Sequence, residues 1–350
     1  MSEEDYGLLF SDNDREADLR TRELYEFIPM PIMRDSREVQ FDQLLNGSFL
    51  LFGERGYGGT RHRHEVARRI REQMGSDGSI SLCIERESLP KPVFKVLFRE
   101  LTREAISKLK LLNISPNQTI DLYAFHTALD GGIRRSFSDT ENEAYKEKLR
   151  RFRNAIREDS NFNTYWKIFN DIFFNQDHRS RLSAIIIIVD FNSKSDTSYR
   201  SNREPLNDVC DYFHGRNRFV KCFLHISWRQ HFQSRSPLPC YVLNWNDPDE
   251  YIDRLVKMLA ARLSRHLISP GDNRAENSRG VLVSSFGALL CSDELSNIDE
   301  RIARAAQGSP RMLFVLAKQI IEEHCRDLTD ANKKISEDTI NNVLKQHEQS

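Results

Sequence analysis

The chain has 350 residues, 39% of them hydrophobic and 29% charged, and a formal net charge of −1. That length buries a sizeable core without staples and admits one large domain or two to three smaller ones. The longest apolar run, Ala184 to Val189, is far too short for a bilayer span, and the acidic, polar start lacks the pattern of a secretory signal. The expected location is therefore cytoplasmic, with no membrane partner.

Residues 1–25 read as a flexible acidic N-terminal segment. The Pro-punctuated FIPMPIM from Phe27 predicts an extended stretch. REVQFDQLLN carries apolar residues at helical spacing and predicts a helix ending near Gly47. Ser48 to Phe52 predicts a buried strand, which runs into the glycine-rich GERGYGGT, Gly53 to Thr60. Behind it HEVARRIREQM predicts a helix with Val66, Ile70 and Met74 on one face. A second strand, Ser79 to Glu85, follows at the distance that a right-handed parallel crossover demands.

From Val93 to about Phe174 the pattern is mainly helical, in FKVLFRELTREAISKLKLL and the charged EAYKEKLRRFRNAIRED, with a loop or insertion tip over Asp130 to Asn142. AIIIIVD, Ala184 to Asp190, is the strongest strand, continuous and β-branched as strands buried on both faces are. A polar loop over Asn192 to Glu204, a helix to His214 and the strand FVKCFLHIS come next. CYVLNW, Cys240 to Trp245, is a last short strand, and Asp247 as N-cap with Pro248 in the first turn opens another helix. This alternation predicts an α/β fold with a doubly wound, parallel, five-stranded core. After Ser264 a bridge over Pro270 to Gly280 precedes helical segments only: SSFGALLCSDEL, NIDERIARAAQ, PRMLFVLAKQIIEEH and EDTINNVLKQHEQ. The predicted division is an α/β domain over 26–264, with a helical insertion at about 93–174, and a small helical domain over 275–350.

In the pattern GxxxxGK followed by Ser or Thr, a glycine-rich turn after a strand lets backbone N–H groups and a helix N-terminus cradle phosphates. The lysine neutralises the β and γ oxygens and the hydroxyl helps hold Mg2+. Gly53, Gly58 and Thr60 match, with Gly56 between them, but Gly59 stands at the lysine position. The alternative is an ordinary glycine turn; the strand before and the helix after favour the phosphate loop. Asp190, ending a buried apolar strand, is either the carboxylate that orients Mg2+ or a plain strand-ending residue, and the next position is Phe191 where an acidic residue would activate water.

Together, Gly53 to Thr60, Asp190, Ser227 in FLHIS and GSPRML, Gly308 to Leu313, resemble the Walker A, Walker B, sensor 1 and sensor 2 positions of AAA+ ATPases, especially the origin-recognition-like and STAND branches, with both Walker motifs degenerate. The resemblance covers Phe27 to about His347. It implies a P-loop core with a C-terminal lid, and ATP or ADP held by Gly53, Gly56, Gly58, Gly59, Thr60, Asp190, Ser227 and Arg311. Mg2+ would sit on Thr60 and Asp190, and a protein partner would join the chain in a homo- or hetero-oligomer. Without the resemblance, Arg311 is a solvated arginine at a helix entry. Losing the lysine and the acidic neighbour of Asp190 removes two large terms from hydrolysis, so no catalytic residue is assigned. Arg55, Arg61 and Arg63 are candidates for compensating charge. Arg216 and Arg218 are either arginines offered to a neighbouring subunit or loop residues.

The six cysteines show no CxxC or Cys/His spacing and read as reduced core residues. His62 and His64, and likewise Asp211 and His214, form no ligand set and read as surface or capping groups. The basic runs Arg61 to Arg71 and Lys146 to Arg157 are either solvated helix faces or a nucleic-acid patch. Three functions follow, in this order: a regulatory or scaffolding pseudo-ATPase, an ATPase switch or motor with an unusual phosphate loop, and a nucleic-acid-associated module.

Overall fold

The computed structural model describes residues 31–35, 37–54, 57, 59–74, 79–84, 89, 91–132, 135–174, 182, 184–191, 196–215, 218–232, 237–243, 248–266, 297–326 and 335–348. The strands are β1 (Ile32–Arg34), β2 (Arg37–Glu38), β3 (Phe49–Gly53), β4 (Ser79–Ile84), β5 (Ala184–Phe191), β6 (Arg218–His225) and β7 (Cys240–Leu243). Among the described residues no helix is long and apolar enough to cross a membrane. The fold is mixed α/β and divides into two units, one of Gln40–Gly53 and Thr60–Val242, the other of Met1–Val39, Glu54–Gly59 and Leu243–Ser350.

The first unit is built on neighbouring strands in the order β7-β3-β6-β5-β4, and every pairing among them is parallel. In the register Cys83, Ile188 and Lys221 are opposite one another, as are Asp190, Phe223 and Leu51, and Gly53 lies beside His225. Because side chains alternate, Leu51, Ile188, Asp190, Lys221, Phe223 and His225 share one face, and Phe52, Ile187, Val189, Phe191, Cys222 and Leu224 share the other.

That second face is wholly apolar and forms one core with helices α2 (Val93–Ser107), α3 (Pro116–Ala128), α4 (Asp139–Glu158), α5 (Phe162–Phe173) and α6 (Asp196–Tyr212). Phe98 sits at its centre, with the rings of Phe125, Phe162, Tyr165, Phe169 and Phe213 at 5.6–6.4 Å. Capping boxes start two of these helices, Ser115 with Gln118 on α3 and Ser138 with Glu141 on α4, each satisfying two otherwise orphaned N–H groups. Asn161 caps α5.

Three expectations need correction. The helix predicted in REVQFDQLLN is replaced by β2 and a single 3-10 turn, Phe41–Leu44, because Asp35 at φ 48° folds Arg37 and Glu38 back onto Arg34 and Met33. The predicted loop over Asn192 to Glu204 is helical from Asp196 onward. Its inward positions run Tyr199, Asn202, Leu206 and Val209, and the polar Asn202 hid that periodicity; it is fully buried, and its Oδ1 accepts a 2.7 Å bond from the Leu89 N–H. The predicted tip over Asp130 to Asn142 ends earlier, since α4 already begins at Asp139.

In the second unit β1 and β2 form a hairpin, and Glu38 pairs with Arg254 at 2.6 Å. Its helices are α7 (Pro248–His266), α8 (Ile298–Ala305), α9 (Pro310–Arg326) and α10 (Glu337–Glu348), burying Ile302, Leu313, Leu316, Ile320 and Ile340. The segment SSFGALLCSDEL and Asp247 lie outside the described residues.

The charged face of the sheet holds a lysine that sequence reading passed over. Lys221, fully buried in mid-strand, donates to the carbonyl oxygens of Leu44 at 2.7 Å, Leu45 at 3.3 Å and Gly47 at 2.8 Å. These carbonyls end the 3-10 turn, so the lysine ties the approach to β3 onto β6. The bonds favour the ammonium, burial disfavours it, and burial wins, lowering its pKa to about 7. An unfolded lysine titrates near ~10.4, so between the two values the unfolded chain binds the extra proton and stability rises with pH. Denaturant unfolding should therefore show wild type gaining on Lys221→Met by up to about 1.4 kcal/mol per pH unit from pH ~7 upward. Lys221→Met should also cost about 1–3 kcal/mol at pH ~9 through its stranded carbonyls.

Candidate functional site

β3 ends at Gly53, and helix α1 (Gly59–Met74) begins shortly after it. Val66 and Ile70 bury one side of α1. His62 is also buried, its ring 5.7 Å from that of Phe41, which corrects its reading as a surface group. One turn beyond Gly59, Arg63 points inward with only 5% of its side chain exposed. Its Nη1 lies 3.2 Å from Oδ2 of Asp190, itself 11% exposed, and also donates to Cys83 Sγ at 3.7 Å. Nη2 donates to His64 Nε2 at 2.9 Å.

The carboxyl edge of the sheet thus brings together Gly53, Asp190 and His225, with Arg63 reaching Asp190 from α1. His225, not Ser227, is the last residue of β6. Ser227 lies exposed in the 3-10 turn Ile226–Trp228, its Oγ 2.8 Å from His225 Nδ1 and its N–H donating to the same nitrogen at 3.2 Å. Ser227 therefore lies two residues past the strand end, which the buried His225 occupies; its sequence signal is a single polar residue closing an apolar strand.

The remaining predicted site residues are distributed as follows. Gly56 and Gly58 lie outside the described residues, as do Arg55 and Arg216, and of Thr60 only the backbone in α1 is described. A Cβ added at Gly59 would meet nothing within 4 Å, so packing does not require a glycine at the lysine position. Arg311 is exposed in the first turn of α9, in the second unit, after Gly308 at φ 79° and with Ser309 Oγ accepting from the Met312 N–H at 3.2 Å. Arg218 is not offered outward: Nη1 donates to the Tyr212 carbonyl at 2.9 Å, and the guanidinium lies 4.5 Å from the Trp166 ring centroid.

The basic run on α1 is largely neutralised within the chain. Arg68 pairs with Glu65 and Glu72, and Arg69 with Glu65 and Asp42, all at 2.5–2.7 Å. Of the cysteines, Cys210 and Cys222 are buried as expected, while Cys83 is exposed. His214 Nδ1 lies 2.7 Å from the Cys210 carbonyl at the end of α6, a capping contact.

The expected Mg2+ ligands do not fit the metal. Asp190 already faces a guanidinium at ion-pair distance, and a divalent cation on that carboxylate would be set against a fixed positive charge. Among the described residues no cluster of three His, Cys, Asp or Glu side chains could hold a metal ion.

No family model matches the chain, and no curated protein does. Two solved structures of the ORC2 protein from Aeropyrum pernix are similar to it. The ADP form is 12% identical, with a TM-score of 0.38, over 88% of this chain and 66% of that one. The ADPNP-ADP complexes give 12% identity and a TM-score of 0.35 over 97% of this chain and 72% of that one. Likeness of this degree transfers no residue roles.

Removing one member of a buried ion pair strands the other charge. Arg63→Met should therefore lower the unfolding free energy by about 3–5 kcal/mol. The double variant Arg63→Met/Asp190→Leu should recover most of that loss in the same denaturant titration.

Proposed function

We propose that the chain is an AAA+-like pseudo-ATPase. In this reading a P-loop core and a C-terminal helical lid over 275–350 bind ATP or ADP weakly, and the chain regulates or scaffolds an assembly with a protein partner, as a homo- or hetero-oligomer. The observation that carries the proposal is the Arg63–Asp190 pair: the carboxylate that would order Mg2+ is neutralised from the helix that follows the glycine turn.

Two further features support it. Gly59 places no cation on the transferring phosphoryl group. Phe191, where a water-activating acid would stand, is buried on the apolar face with its ring 6.0 Å from that of Trp228. Hydrolysis is thereby deprived of electrostatic stabilisation and of a base. The backbone of Gly53, Gly56, Gly58 and Gly59, with Thr60, would supply the phosphate cradle, and Arg311 would reach the phosphates from the lid.

Equilibrium binding of labelled ATP and ADP tests this reading. Weak binding is expected, with Arg311→Ala weakening it by about tenfold through loss of a charge-assisted hydrogen bond, and turnover negligible throughout. Gly59→Lys, for which the backbone has room, should tighten binding by at least about tenfold. Absence of binding at millimolar nucleotide would sink the proposal.

One observation favours a nucleic-acid partner as a second reading. On α4, Lys146 and Lys148 pair with Glu143 and Asp121, whereas the exposed Arg150, Arg151, Arg153 and Arg157 have no ion pair among the described residues. Arg150, Arg153 and Arg157 recur at helical spacing along one stripe. If they meet phosphates, DNA retention should fall steeply with salt, and replacing those three by Glu should abolish it at about 50 mM salt. Retention that ignores both salt and the substitutions would eliminate this reading.

A further inference from the structure

We infer that the charge of Asp190 is balanced from within the chain by Arg63 instead of by a divalent cation, so that the site takes nucleotide without Mg2+. The nucleotide half of this inference rests on the function proposed above; the metal half stands on the ion pair alone.

The guanidinium of Arg63 is held on three sides. Its Nη1 meets the Asp190 carboxylate and the Cys83 thiol, and its Nη2 meets the His64 imidazole. Both members of the pair lie almost entirely out of water, so their attraction is poorly screened. Mg2+ requires near-octahedral oxygen ligands and surrenders its water reluctantly. At Asp190 it would meet the Arg63 cation, whose further partners include an imidazole nitrogen and a sulfur, not the oxygens that Mg2+ prefers. The register adds a geometric reason. Asp190 shares its face with His225 and lies opposite Phe223, and α1 lowers Arg63 onto that same face one turn past Gly59. A single helix therefore lacks the lysine at the phosphate position and supplies an arginine at the metal position. Mg2+ is then neither needed to neutralise Asp190 nor able to bind there.

Full-length chain is measured in three ways: thermal unfolding in EDTA and in about 10 mM Mg2+ without nucleotide, Mn2+ binding by electron paramagnetic resonance, and labelled ADP binding with and without Mg2+. The wild type should show an unchanged Tm, no bound Mn2+, and ADP affinities equal within about threefold. Arg63→Met exposes the carboxylate to solvent cations. Mg2+ should raise its Tm by at least about 2 °C, a gain that Arg63→Met/Asp190→Asn loses.

Submillimolar Mn2+ binding to wild type that Asp190→Asn removes would overturn the inference, as would ADP binding that needs Mg2+. So would a folded Arg63→Met that shows no response to Mg2+. If Arg63→Met does not fold, the wild-type Mn2+ and Tm measurements decide. If ADP binds in neither buffer, the proposed function fails, while those same two measurements still decide whether Arg63 has replaced the metal.

Discussion

A carboxylate at the end of a strand buried on both faces cannot stand alone in a low-dielectric interior, and the placement of α1 answers that constraint. Asp190 is the sole charged residue of β5, following six apolar positions, and Arg63 is the cation that meets it. To deliver Arg63 there, α1 must present Val66 and Ile70 to the sheet on the same side, with His62 against Phe41. The pitch of one helix thus positions both the neutralising charge and the packing around it.

The two faces of the sheet divide the labour. The face carrying Phe52, Val189 and Phe191 is packed by aromatic side chains from the helical insertion, with the rings around Phe98 at the centre. The opposite face carries Asp190, Lys221 and His225: Arg63 meets the first, three carbonyls the second, and Ser227 the Nδ1 of the third. Where polar groups are buried on the insertion side, they act as ties between segments: Asn202 receives the Leu89 N–H, and Gln118 donates to the Ile172 carbonyl at 2.6 Å. Unsatisfied, each would cost about 1–3 kcal/mol, so these bonds also select one arrangement of the helices.

The local pattern of this region is legible in the sequence. The order of strand, glycine turn and helix at Gly53 to Thr60 is local, and so is the missing lysine at Gly59. Arg63 is one of three arginines that the sequence offers as charge in place of the missing lysine; the structure sets it on Asp190. That partner is not legible locally, because whether Arg61 or Arg63 faces the sheet depends on the rotation of α1, which packing sets. The strand FVKCFLHIS reads through to Ser227 because sequence periodicity does not show where a strand yields to a 3-10 turn, and it stops at His225. Lys221 carried a signal that went unused: a lone lysine inside FVKCFLHIS is either a strand breaker or a buried cation with an assigned partner, and the carbonyls of Leu44, Leu45 and Gly47 supply that partner.

The sequence by itself determined the strands from β3 onward, most of the helices and the glycine-rich run with Gly59 in place of a lysine. Each is written in a few consecutive residues, as an apolar run, a cap or a missing side chain. Only the tertiary structure decided that Arg63 neutralises Asp190, that Lys221 closes the turn before β3, that His225 ends β6, and that Arg218 is held over Trp166. Each of these joins residues far apart in the chain, or turns on where a strand stops. Their energies exist only once the sheet register and the rotation of the helices bring the groups within a few ångströms, and no local pattern encodes that distance.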